Sequence, residues 1–230
     1  MCGIFASVSR RSPIFPTPYL KQSLGNRGPD HLGEITTKAG TGTGTVRIFF
    51  TSTVLALRGA HVTAQPLSDP FTESVLCWNG EAWKVGQKSV VGNDGQVIMN
   101  LLVREASETY IDPISRVLEV VRGISGPFSF IYLDKSHDLL FFGRDFLGRR
   151  SLLFNSEDVP DAVQFSSIAD STLGAWKEVE ADGIYVLALV NRPELPTCVT
   201  LPKHARQMSS FPSFIFPYKV PVSFPIDPPM

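Results

Sequence analysis

At 230 residues, with 43% hydrophobic and 19% charged side chains, the chain can bury a full core and has the balance of an ordinary globular protein. A formal charge of -1 without a block of like charges leaves no footprint for nucleic acid. The absence of both an 18-residue apolar run and a basic-then-apolar leader sets the expectation of a cytoplasmic chain without a membrane partner. Cysteines at 2, 77 and 198 and four histidines, none at metal-ligand spacing, predict neither a disulfide framework nor a metal, and no other cofactor is expected.

The first predicted element is a buried strand over Gly3–Ser9, ended by Pro13, Pro16 and Pro18. Cys2 stands directly before it. If Met1 is excised, Cys2 carries a thiol of ordinary pKa about 8.5 and an α-amine of about 7.7–8.0, a nucleophile and its proton acceptor in one residue. Taken alone, Met1-Cys2 is equally an accident of start-codon context.

Leu20 and Leu24, four apart, predict a short helix stopping at Gly25-Asn26, followed by the rigid polar turn Arg27-Gly28-Pro29-Asp30. Residues 33–44, rich in Gly, Thr and Lys, read as a mobile loop, and 45–50 and 53–57 as two strands. Arg58 ends the second of these, where its guanidinium can fork onto a carboxylate or form a plain surface ion pair.

A strand over 74–78 runs into Asn79-Gly80-Glu81. The amide of Asn79 and the open backbone N–H of Gly80 suit an oxyanion, and the Glu81 carboxylate suits an ammonium; the same tripeptide is also a β-turn signal. Asp94 stands near the start of a helix marked by Val97, Ile98, Leu101 and Leu102, where capping is the alternative to binding. A second helix is predicted over 114–121, then strands over 128–133, 139–144, 151–154, 163–166 and 184–189. Helices inserted between two groups of mostly antiparallel strands indicate an α+β fold of two sheets sandwiched by helices. The final twenty residues hold six prolines, so 191–230 is expected to be an extended or disordered tail unable to join a sheet, or else a Pro-rich docking ligand, behind one domain over 2–190.

Together, Met1-Cys2-Gly3-Ile4, Arg27-Gly28-Pro29-Asp30, Leu57-Arg58, Gln65-Pro66-Leu67, Trp78-Asn79-Gly80-Glu81, Asn93-Asp94, Gly126-Pro127-Phe128-Ser129-Phe130 and the run from Gly143 to Arg150 resemble the class II glutamine amidotransferase domain of asparagine synthetases. The Arg-Asp-Phe-Leu-Gly-Arg-Arg stretch is most similar to a divergent eukaryotic branch, the asparagine synthetase domain-containing proteins. The resemblance implies an N-terminal nucleophile hydrolase fold, a four-layer αββα sandwich, and hydrolysis of L-glutamine to glutamate and ammonia through a thioester on Cys2. It implies Asn79 and Gly80 as the oxyanion hole, Arg58 for the glutamine α-carboxylate, Glu81 and Asp94 for its ammonium, and Arg27 and Gly28 in a loop ordering over the substrate. Departures from the pattern are Ala82-Trp83 after the Asn-Gly-Glu turn and Gln96 where an acidic residue is usual. No Ser-Gly-Gly-x-Asp-Ser loop of an ATP-pyrophosphatase domain occurs before Met230, so the expectation is a glutaminase half whose ammonia passes to a synthetase domain or partner chain. The alternative is a catalytically silent, amidotransferase-like binding module.

Overall fold

The computed structural model describes residues 1–40, 44–59, 61–104, 112–158, 161–174, 176–190 and 217–221. In chain order they form β1 (Gly3–Ser9), α1 (Pro18–Arg27), β2 (His31–Ala39), β3 (Val46–Val54), β4 (Leu67–Ser68) and β5 (Val75–Gly80). Next come β6 (Lys84–Val85), β7 (Lys88–Ser89), α2 (Asp94–Arg104), α3 (Pro113–Arg122), β8 (Ile124–Ser125), β9 (Phe128–Asp134) and β10 (Leu139–Arg144). The last are β11 (Leu153–Asn155), β12 (Ala162–Ser166), β13 (Lys177–Glu178), β14 (Gly183–Ala188) and β15 (Pro217–Pro221).

Period-two alternation of the strands builds the layers. Ile4, Ala6 and Val8 of β1 and Ile48 and Phe50 of β3 point into one core with Val75, Cys77, Ile131, Leu133, Leu140 and Phe142 from the opposite sheet. The intervening Phe5 and Phe49 face the other way, onto Leu20 and Leu24 of α1. Likewise Leu76 and Trp78 of β5 and Phe130 and Tyr132 of β9 turn away from the central core, onto Ile98 and Leu102 of α2 and Val117, Leu118 and Val121 of α3. The result is α1 on a sheet ordered β13-β11-β12-β1-β3-β2, packed on a sheet ordered β15-β14-β10-β9-β5-β4, packed on α2 and α3. All strand pairs in both sheets are antiparallel. This is the expected four-layer αββα sandwich.

Two helices begin on the same device. Thr17 accepts from Leu20 N (3.2 Å) ahead of Pro18, and Asp112 accepts from Ser115 N (2.9 Å) ahead of Pro113. A side-chain oxygen satisfies one orphan N–H, and proline follows where no N–H is needed.

Several local expectations are corrected. Residues 33–44 are no loop over most of their length: 31–39 form β2, an edge strand whose exposure alternates because only one face meets the protein. The two strands expected at 45–50 and 53–57 are one continuous strand, β3, through the small buried residues Thr51, Ser52 and Thr53. Helix α1 passes Gly25-Asn26 and ends at Arg27, capped by Gly28. Asn79 and Gly80 are the last residues of β5, not a turn.

The expectation that the proline-rich tail cannot join a sheet is corrected at 217–221, which pair with β14 from Leu187↔Pro217 to Gly183↔Pro221. The segment is an edge strand with its prolines at the two ends, the places where a missing N–H costs least. The rest of 191–230, with Cys198, lies outside the described residues.

Candidate active site

The nucleophile candidate is fixed by the first strand. Gly3 N donates to Thr53 Oγ1 (3.1 Å), which itself donates to Leu24 O (2.6 Å), and Ile4 N donates to Ser167 Oγ (3.0 Å). These bonds tie the start of β1 to β3, α1 and the end of β12, so Cys2 emerges from a rigid edge of the central core.

Cys2 lies half-buried in the wall of a cavity. It is lined by residues 54–58, by Trp78, Gly80, Glu81, Asn93 and Asp94, and by Arg150 next to Met1. Burial pushes the Cys2 thiol up, and the Asp94 carboxylate adds to this. A backbone hydrogen bond at Leu55, the chain's α-amine and the Arg27 guanidinium act the other way. A thiol held protonated in this way needs a base beside it before it can attack.

Arg58, Glu81 and Asp94 meet in this cavity although they come from three elements. Arg58 donates to Ala82 O (3.0 Å) and pairs with Glu81 at 3.3 Å, both side chains being about one-third exposed, 30% and 39%. The ion pair expected as one alternative is therefore formed, and both of its members line the cavity. Asp94 is not the cap of α2. Asn93 takes that place by accepting from Gln96 N (3.0 Å), which frees Asp94 to accept from Trp78 Nε1 (2.9 Å) and Ala82 N (2.8 Å). The carboxylate thereby locks the end of β5 to the start of α2.

The remaining expected residues lie behind or beside the cavity. Gly80 lines it, whereas Asn79 is buried one residue further back with its amide 3.5 Å from Ser129 Oγ. Arg27 and Gly28 are not among the lining residues. Arg27 donates to Ser151 Oγ (3.1 Å) and Ser167 O (2.9 Å). A Cβ on Gly28 would fall 2.4 Å from the Thr53 carbonyl carbon, so this turn is seated on the end of β3. Asp30 completes the anchor through Asp30 N to Val54 O (3.0 Å) and Ala56 N to its carboxylate (2.8 Å).

Arg150, Ser129, Ser151, Ser167 and Thr53 were given no role by sequence reasoning. Only the doubled arginine at 149–150 offered a signal, because serines and threonines in strands look alike wherever they point. The turn carrying Arg150 is built by its neighbours. Asp145 accepts from Phe128 N and Arg149 N (3.1 Å each) and from Arg149 Nε (2.9 Å), while buried Arg144 donates to Arg150 O (2.7 Å) and to Gly148 O. Among the described residues no three His, Cys, Asp or Glu side chains converge as metal ligands.

The four-layer sandwich, with a cysteine directly before its first strand and a cavity beside it, is the fold of the N-terminal nucleophile hydrolases. Comparison with known proteins narrows the class: residues 1–201 match a model described as a glutamine amidotransferase domain. Over 195 residues the chain is 34% identical to asparagine synthetase domain-containing protein 1 of Mus musculus and 33% identical to that of Homo sapiens. Each match covers 82% of this chain but only 29% and 28% of those proteins. Among solved structures, the glutamine phosphoribosylpyrophosphate amidotransferase from B. subtilis superposes with TM-score 0.56 at 16% identity, covering 81% of this chain and 47% of that one. A structure of the allosteric regulatory enzyme of purine biosynthesis superposes with TM-score 0.60 at 17% identity, with the same coverage. The chain belongs to the class II glutamine amidotransferase family.

Proposed function

We propose that the chain, once Met1 is removed, hydrolyses L-glutamine to glutamate and ammonia. The observation that carries this reading is the cavity that sets Cys2 beside Arg58, Glu81 and Asp94. Arg58 receives the α-carboxylate, and Glu81 with Asp94 receives the α-ammonium, so the carboxamide end is left to face Cys2. The pairing of Arg58 with Glu81 keeps one cation and one anion on the cavity wall, matching the two charges of the substrate.

Cys2 Sγ attacks the carboxamide carbon as its own α-amine takes the thiol proton. The C–N bond then breaks, that proton leaves with ammonia, and water attacks the thioester to release glutamate and regenerate the thiol. The α-amine of Met1 is held below its ordinary value by burial and by Arg27 and Arg150; after excision the α-amine of Cys2 takes the part of proton acceptor. Gly80 N and the Asn79 amide stabilise the oxyanion, Asn79 turning from Ser129 to do so. Arg27 and Gly28 hold the wall behind the nucleophile. Because the chain spans less than a third of its mammalian relatives, the ammonia acceptor is proposed to be a synthetase domain or partner chain.

The test is intact-mass analysis followed by a glutaminase assay. A mature chain beginning at Cys2 should release glutamate, and Cys2→Ala should reduce the rate by several orders of magnitude. Retention of Met1 in the active protein, or undiminished activity of Cys2→Ala, overturns the reading.

A further inference from the structure

Two guanidinium groups converge on the side chain of Met1. Arg150 Nη1 lies 3.0 Å and Arg27 Nη2 lies 3.7 Å from its Sδ. A thioether is a weak acceptor without charge, a poor partner for two cations. Neither arginine is in an ion pair with a described carboxylate, and the Nε of each is buried without a partner among the described residues. The Arg27 guanidinium is held by Ser151 and Ser167, and the backbone of Arg150 is held through its carbonyl by Arg144. Burial first, and the charge of Arg150 second, depress the Arg27 guanidinium. Arg150 also lines the same cavity as Cys2 and Gly80.

The geometry points to a carboxylate site, made by Arg150 and Arg27, at the position that the Met1 side chain occupies and that its excision opens beside Cys2. Resting on the glutaminase reading, the carboxylate is the one that hydrolysis creates. The reacting end of glutamine is a neutral amide, whereas the same end of glutamate is an anion, so cations placed there distinguish product from substrate. Arg150 is then the residue that makes the site retain glutamate, and product inhibition follows from its charge. The same pair draws small anions to the nucleophile irrespective of the substrate.

Two measurements test this on the mature chain. The first is the rate of Cys2 alkylation, read by mass spectrometry, with iodoacetate relative to iodoacetamide, an anion and a neutral molecule of nearly equal size. Relative to a small cysteine amide, the ratio should be raised about tenfold, fall back in Arg150→Gln and persist in Arg150→Lys and in exposed Lys88→Gln, which controls for net charge. The second is calorimetric binding to Cys2→Ala, where adding Arg150→Gln should weaken glutamate about tenfold and leave glutamine within about twofold. A ratio equal to that of the small amide, or one that Arg150→Gln does not move, overturns the site. Equal weakening of glutamate and glutamine overturns the product assignment. Failure of both amino acids to bind with the alkylation preference intact overturns the glutaminase reading and leaves the anion site standing.

Discussion

Cys2 and Cys77 carry the same side chain in opposite circumstances. Cys77 is fully buried between the sheets, which pushes its thiol up to about 12 and leaves it inert at neutral pH. Cys2 is only half-buried, with an amine and a cavity beside it. A thiol whose value is raised is mostly protonated until the pH passes that value, so alkylation of Cys2 in the chain that keeps Met1 should rise with pH through a midpoint above the ordinary thiol value. Rates measured across pH by mass spectrometry would show a midpoint at or below that value if the burial argument were wrong. On the proposed glutaminase reading, Asn79→Ala should lower kcat by roughly 10²- to 10³-fold with little change in KM, because an oxyanion donor acts as charge develops. Arg58→Ala should chiefly raise KM. Small and equal effects of the two on steady-state kinetics would instead favour a binding module.

The elements that hold these residues meet at Gly126-Pro127, which is an element-scale weak point. Gly126 has φ +146°, and a Cβ there would lie 2.0 Å from the Glu81 carbonyl oxygen, while Glu81 N donates to Pro127 O (2.8 Å). The turn that starts β9 is thus the seat of the strand end carrying Glu81. Gly126→Ala combines an unfavourable backbone region with overlap against backbone. It should cost about 2–4 kcal/mol and lower Tm by roughly 5–15 °C in a thermal melt. It should also raise KM for glutamine, because Glu81 is displaced with the turn. An unchanged Tm would show that the turn relaxes freely.

At the scale of the whole molecule, the helical layer is tied to its sheet by a buried charge pair as well as by apolar packing. Arg116 on α3 and Asp134 at the end of β9 meet at 2.6 Å with side chains 3% and 1% exposed, and His137 Nδ1 joins Asp134 at 2.9 Å. Removing one partner leaves the other charged and buried. Arg116→Met should therefore destabilise the fold by about 3–5 kcal/mol in denaturant titration, and Arg116→Met with Asp134→Leu by clearly less. An additive double variant would show that the two charges do not interact. The pair sits at the end of β9 away from Ser129 and Asn79, so glutamine KM should not follow it.

Read alone, the sequence determined the elements whose residues carry a strong local period or a definite stop signal. β1, α3, β9, β10 and β12 fall within a residue or so of their expected bounds, because buried strands and amphipathic helices write their packing into every second or every third and fourth residue. It also named Cys2, Arg58, Gly80, Glu81 and Asp94, all of which meet at one cavity. Tertiary structure alone decided the rest. β2 is a strand because β3 offers it a ladder, and Gly, Thr and Lys composition contains no trace of that partner. Asp94 braces β5 because Asn93 caps the helix, a division of labour between adjacent polar residues that local preference cannot assign. Arg150 comes to Met1 and the cavity because Arg144 and Asp145 fold the intervening turn around their own hydrogen bonds. Contacts between residues more than a hundred positions apart, such as Arg150 with Met1, depend on how the layers stack, and no local pattern encodes them.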